Sequence, residues 1–300
     1  MINNFKNQMR RSKMHPSTFN TETGFKALKP ERRTAAPDVH EGKKMHSKEN
    51  QVGKIEILYE DEYLVIINKP SGLLSVGYSG SNARNAADML EQMMRKKGTY
   101  SNHHKPFPVH RLDRDTSGVM MFALSETAQK KIMDTWQDMV KSRKYRAVTE
   151  NPRPGDRIQR LAPQGLIDDP LAYNAHNIAY VPHQQKTDQD EKNSKPVKTV
   201  TARTNYRIIA SGKKYSLFEL ELDTGRKNQI RAHLSNRGYP IAGDPNYRSR
   251  SNPFGRLALH ARTLSFIHPY TEKKMTFEVP EPEEWQRTVE YQVKTTHFHS

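Results

Sequence analysis

A chain of 300 residues has room for one large or two smaller domains, yet only 34% of it is apolar and its mean hydropathy is −0.93, so part of it must be polar tail or linker. With 49 Lys/Arg against 33 Asp/Glu the net charge is +16, the footprint of a polyanionic partner. The apolar runs Tyr63–Ile67 and Val119–Leu124 fall far short of the ~20 residues that span a bilayer. With no apolar signal-peptide segment at the N-terminus either, a cytoplasmic protein without a membrane partner is expected. The absence of cysteine removes disulfides, thiolate catalysis and cysteine-ligated zinc.

Residues 1–52 hold 11 Lys/Arg against 5 Asp/Glu and show no apolar periodicity, which predicts a disordered basic tail ahead of a folded region spanning 53–300. Ile55, Ile57 and Tyr59 alternate with polar residues before the apolar run Tyr63–Ile67, as in a β-hairpin. From Asn82 to Lys97, Ala83, Ala86, Ala87, Leu90, Met93 and Met94 recur at helical spacing and Gly98 ends the pattern. Val119–Leu124 reads as a buried strand, followed by a helix capped by Ser125 and running to about Lys141, then by extended chain over Lys144–Val148. The nearly all-polar stretch from Gln184 to Lys198 predicts a solvent-exposed loop. Tyr206–Ala210 and Tyr215–Leu222 flank a turn at Ser211–Lys214 and predict a second hairpin. Strands and occasional helices without βαβ alternation indicate an α+β fold with a largely antiparallel sheet.

The densest group of reactive side chains is HRLDRDTSG, His110–Gly118, between a Pro-rich approach and the buried strand. Loops held by rigid strands display reactive groups that a strand interior would have to bury. By residue type alone the same loop also describes an Asx turn in which Asp113 or Asp115 bonds its own backbone. Two apart in extended chain, these carboxylates would point to opposite sides, which argues against a paired acid and base. His110, His233 and His260 occur in separate stretches without ligand-pair spacing, so no metal site is expected.

HRLD followed two residues later by TSG resembles the signature loop of RluA-type pseudouridine synthases. ILYEDEYLVIINKPSGL (57–73), KYRA (144–147), GLIDDPLA (165–172), TGRKNQIRAHL (224–234) and RLALHA (256–261) resemble further stretches of that family, in the same order. The resemblance runs from about Lys54 to Pro280 and does not include the tail. It implies the pseudouridine synthase fold for 53–300, a mixed sheet flanked by helices with the catalytic cleft across it; many members also carry an N-terminal S4-type RNA-binding module, which the apolar-poor tail is not expected to form. It implies that Asp113 is the essential aspartate, Tyr145 the tyrosine contacting the target base and Arg231 the arginine paired with the aspartate. By the same likeness Leu259 lines the uracil pocket and Arg111 fills the gap left by the extracted nucleotide. Asn228 stands where the family usually has histidine, and adjusted packing or RNA contact near Arg226 is expected there.

The residue types suit the implied reaction. Uridine becomes pseudouridine when the bond from the sugar to the ring nitrogen breaks and the sugar rejoins the ring at carbon-5, with no net redox change. One carboxylate can serve, by attacking the nucleotide or by taking a sugar proton, and a guanidinium that stays charged can hold both its oxygens. The base must be flipped out of the RNA stack first. The expectation is therefore a monomeric enzyme acting on structured ribosomal or transfer RNA without cofactor or metal. A catalytically silent RNA-binding protein of the same fold is the alternative, and a DNA-associated basic protein a weaker third because no DNA-reading motif is present.

Overall fold

Alternating polarity from Ile55 onward produces the first hairpin, in which β1 (Glu56–Glu60) pairs antiparallel with β2 (Leu64–Lys69). Asp61 closes its turn by accepting the backbone N–H groups of Tyr63 and Leu64. The computed structural model describes residues 54–80, 82–153, 155–156, 160–182 and 197–294, side chains to 290. The expected basic tail and most of the expected polar loop at 184–198 lie outside the described residues.

Helix α1 (Ala86–Lys97) starts later than its apolar periodicity suggested. Asn85 forms the N-cap, its side chain accepting the Asp88 N–H at 3.0 Å, and Ala83 is left exposed ahead of it. Gly98 ends the helix in the left-handed conformation, as read. Ala86, Leu90 and Met94 face the core, while Met93 is only half-buried. The short β3 (Phe107–Pro108) then lines β4 (Ser117–Ala123), a strand buried at every position. Its side chains divide by parity: Met120 and Phe122 join Leu90 and Met94 on one face, and Val119, Met121 and Ala123 join Ile132 and Phe266 on the other.

The helix expected from Ser125 to about Lys141 is instead two pieces, α2 (Glu126–Asp134) and α3 (Trp136–Met139), broken at Thr135. The Thr135 hydroxyl donates to the Lys131 carbonyl, and from Val140 the chain is claimed by the sheet. Here tertiary pairing overrides local helical pattern. Strand β5 (Val140–Glu150) is longer than the extended stretch read at Lys144–Val148. Beyond it come β6 (Gln164–Ile167), the small separate pair β7 (Ala172–Tyr173) and β8 (Ala179–Tyr180), and the second hairpin, β9 (Thr204–Ser211) with β10 (Tyr215–Leu222). Helix α4 (Gln229–Asn236), β11 (Leu259–Ile267), β12 (Lys274–Glu278) and helix α5 (Glu283–Lys294) complete an α+β fold.

The main sheet runs β1-β2-β4-β11-β5-β10-β9-β6, with β3 on β4 and β12 on β11. Every pairing in it is antiparallel but one: β11 meets β4 in parallel at His260↔Ser117 and Ala261↔Gly118. From Thr263 onward the same edge of β11 takes β12 instead. The sheet therefore forks where the HRLDRDTSG loop enters β4.

Gly118 makes that junction possible. Its φ is +113°, and a Cβ there would lie 2.1 Å from the Ala261 carbonyl oxygen, a backbone atom that cannot move aside alone. Gly118→Ala should lower the unfolding free energy by about 3 kcal/mol or more. Urea denaturation measures this, and a midpoint equal to wild type would show that the two strands can part there at no cost.

Candidate active site

The loop carrying Asp113 is tied down from the strand before it. Lys69, at the end of β2 and fully buried, donates through Nζ to the carbonyls of Leu73 (2.6 Å), Arg114 (2.9 Å) and Pro70 (3.1 Å). The Ser71 hydroxyl donates to the Asp115 carbonyl, and the Ser75 hydroxyl both donates to the Leu112 carbonyl and accepts the Leu112 N–H. Burial pushes the Lys69 ammonium down to about 7, with Asp115 and Asp113 opposing the shift and Arg256 adding to it. From the other side, Ser117 is bonded to Arg256 (2.6 Å) and His260 (2.7 Å). Asp115 pairs with exposed Arg114 rather than with Arg231, and the chain from Asp113 to Thr116 is not the extended stretch expected but a turn in which the Asp113 carbonyl accepts the Thr116 N–H.

Asp113, its side chain 26% exposed, receives two donors on a single oxygen: Arg231 Nη1 at 3.0 Å and Asn228 Nδ2 at 2.7 Å, both on Oδ2. Oδ1 makes no hydrogen bond to a described residue. The sequence reading had the guanidinium fork holding both oxygens of Asp113, and the structure corrects this. The fork belongs to Asp244, which is fully buried and takes Arg231 Nε at 2.7 Å and Nη2 at 2.8 Å. Asp113 takes one N–H bond, from Nη1. Burial works against the Arg231 charge, but the Asp244 carboxylate more than reverses it and Asp113 adds to the effect, so the guanidinium sits above its ordinary pKa.

Asn228 is not a helical neighbour of Arg231 but the residue just ahead of α4, with φ +55°. Asparagine tolerates this left-handed conformation better than most residues, and its amide, which caps nothing, is aimed at Asp113. The expected involvement near Arg226 is therefore replaced by direct contact with the aspartate. Buried Gln229 shapes the turn by accepting the Thr224 hydroxyl and the Arg226 N–H and donating to the Arg203 carbonyl. Neither Asp244 nor Gln229 was singled out from sequence. Nothing local marks the Asp244 carboxylate as the anchor of a residue 13 positions earlier.

Tyr145 lies in mid-β5, paired with Leu220 on one side and Ala261 on the other, and packs against both the β10 core and the α1 core. Burial raises its phenol pKa, with Arg143 opposing the shift and Asp113 adding to it. Leu259 opens β11 opposite Ala147 and is buried in the cluster against which Tyr145 packs. Arg111 is exposed next to the loop, and Arg226 donates from Nε to the Thr201 carbonyl. The three histidines serve the scaffold: His110 accepts the Met121 N–H, His233 bridges Thr204 and the Asp169 carbonyl, and His260 bridges Ser117 and the Val279 carbonyl. Burial lowers the pKa of each, and no group of three His, Asp or Glu among the described residues is arranged to hold a metal.

Residues 63–236 match the family model described as RNA pseudouridylate synthase. The chain is 32% identical to ribosomal large subunit pseudouridine synthase D of Zymomonas mobilis over 245 residues, covering 77% of this chain and 71% of that one. It is 31% identical to tRNA pseudouridine synthase C of Vibrio cholerae, covering 77% of this chain and 93% of that one. Among solved structures, human RNA Pseudouridylate Synthase Domain Containing 4 superposes with a TM-score of 0.59 at 23% identity, over 80% of this chain and 93% of that one, and so shares its fold.

Because Arg231 and Asp244 are both buried, removing one leaves the other charged without its partner. Asp244→Ala should cost about 3–5 kcal/mol of stability, whereas the double variant Arg231→Met/Asp244→Leu should cost clearly less. Chemical denaturation of both decides the matter; equal losses would mean that the pair is not energetically coupled.

Proposed function

Because the chain belongs to the RNA pseudouridylate synthase family and resembles its RluA-type members, and is therefore an enzyme that isomerises uridine in RNA, we propose that Asp113 is the single carboxylate through which it does so. The observation that carries this reading is the one-sided grip on Asp113. Arg231 and Asn228 hold Oδ2, which leaves Oδ1 as the reacting oxygen. That oxygen either bonds to the sugar carbon or takes a sugar proton. In both routes the bond from the sugar to the ring nitrogen breaks, the sugar rejoins the ring at carbon-5, the carbon-5 proton leaves and the ring nitrogen ends protonated. Tyr145 is the surface against which the detached uracil turns, and its hydroxyl assists exchange of the carbon-5 proton. Leu259 closes the floor of the uracil pocket, while Arg111 and Arg226 contact the RNA strand. The enzyme acts in the cytoplasm as a monomer, with no cofactor.

Its substrate is ribosomal or transfer RNA. Relatives named for each are about equally similar, at 32% and 31% identity, so identity selects neither. The N-terminal 52 residues, with 11 Lys/Arg against 5 Asp/Glu, form a basic tail that adds phosphate attraction without taking part in chemistry. Deleting residues 1–50 should raise the apparent KM for RNA and flatten its salt dependence, with the saturated single-turnover rate nearly unchanged. A collapse of that rate would place the tail in the active site.

Asp113→Asn keeps shape and removes the anion. It should fold, bind RNA about as tightly as wild type, and release no carbon-5 tritium from labelled RNA, while Asp115→Asn, whose side chain pairs with exposed Arg114, keeps most activity. Robust release by purified Asp113→Asn refutes the proposed chemistry, and wild type inactive on all cellular RNAs favours a silent RNA-binding protein of the same fold.

A further inference from the structure

The β7–β8 pair stands apart from the main sheet yet is fastened to the active site. Leu171, just before β7, bridges to Val200, and Leu171 and Ala179 pack with Ala232 of α4 and with Tyr247. Tyr247 carries the connection. Its ring lies 4.8 Å from the Arg231 guanidinium, and its hydroxyl donates to the Ala179 carbonyl at 2.8 Å. Ala179 is the cross-strand partner of Tyr173. A chain of direct contacts therefore runs from Asp113 through Arg231, Tyr247 and Ala179 to Tyr173.

Tyr173 is 36% exposed, one of few large apolar side chains on the described surface left in that state. Arg226 is tied to the same β7–β8 pair: its Nε donates to the Thr201 carbonyl, next to Val200, the bridge partner of Leu171. Lys227 is exposed, and it precedes Asn228, which touches Asp113. A second route thus leads from Asp113 back to the same strand pair. Exposed tyrosines are ordinary on a surface when scattered singly. This one sits on a strand pair fastened to Arg231 through Tyr247, beside the turn that carries Arg226 and Lys227 and whose shape buried Gln229 sets.

We infer that Tyr173, with Arg226 and Lys227 beside it, is a stacking platform for a nucleobase adjacent to the target uridine, the two cations meeting the phosphates of the same strand. The inference rests on the RNA-modifying reading above. Flipping one uridine into the active site unstacks its neighbour, and an aromatic face with flanking cations replaces the lost stacking whatever the base. The platform therefore contributes binding energy and register along the strand, and sequence preference only weakly.

The test compares wild type, Tyr173→Ala and Tyr173→Phe on RNA from cells lacking this gene, by tritium release, with photo-crosslinking to 5-iodouridine-substituted RNA as a readout that needs no turnover. Tyr173→Ala should raise KM about tenfold with a smaller effect on the saturated rate, and should leave the salt slope unchanged. Tyr173→Phe, which keeps the ring and loses the hydroxyl, should stay within about twofold of wild type, because the face and not the hydroxyl does the stacking. Lys227→Ala should lower the salt slope by about one phosphate. Crosslinked peptide should contain Tyr173. A wild-type KM in Tyr173→Ala, a Phe variant as weak as Ala, or crosslinks that avoid Tyr173 overturns the platform. Wild type that releases no tritium from any RNA overturns the isomerase reading instead, and the crosslink still decides the platform on its own.

Discussion

The site depends on one guanidinium held between two carboxylates. Arg231 gives its fork to Asp244, which is buried, and an Nη1 N–H to Asp113, which is partly exposed. The roles are unequal because the surroundings are. A bidentate pair in the interior fixes the plane of the guanidinium, and the single hydrogen bond to Asp113 then inherits that plane. Asp113 is thereby aligned by a residue it does not touch. Had the fork been spent on Asp113 directly, the arginine would lack a second anchor and both carboxylate oxygens would be occupied.

The opposite half of the restraint acts on the backbone. Lys69 supplies a charged donor beneath the loop, taking the Arg114 carbonyl together with two carbonyls of its own turn, and the Ser71 and Ser75 hydroxyls take the carbonyls on either side. An ammonium has three donors, and three carbonyls meet it. With Gly118 permitting close approach to Ala261, the loop from Leu112 to Ser117 is gripped from β2 and from β11. Preorganisation of this kind means that little of the binding energy of RNA has to go into ordering the reactive side chain.

The positive charge of the chain and the geometry of the site answer different needs. Charge brings a phosphate backbone to the surface without selecting a site. Selection has to come from shape, from the residues that receive the flipped base, and from neighbours that compensate for its lost stacking. Arg111, Arg226, Lys227 and Tyr173 stand in different structural settings, on the Asp113 loop, on the turn before α4 and on the separate β7–β8 pair. A folded RNA therefore meets a surface assembled from segments distant in the chain.

Local pattern was enough for much of this molecule. Alternation located both hairpins, an unbroken apolar run located the buried β4, and the Ser125 cap and Gly98 stop followed from side-chain hydrogen bonding and left-handed backbone, which depend on near neighbours alone. The HRLDRDTSG loop, Asp113, Tyr145 and Arg231 were legible through ordered motifs. What sequence could not determine were relations between segments far apart: the break at Thr135, which β5 imposes by pairing with β11; the recruitment of Asn228 onto Asp113; and the assignment of the Arg231 fork to Asp244. A turn aspartate and a capping asparagine carry no local sign of a partner, because the partner is chosen by which backbones the sheet brings within about 3 Å hydrogen-bonding distance, and that choice belongs to the tertiary fold.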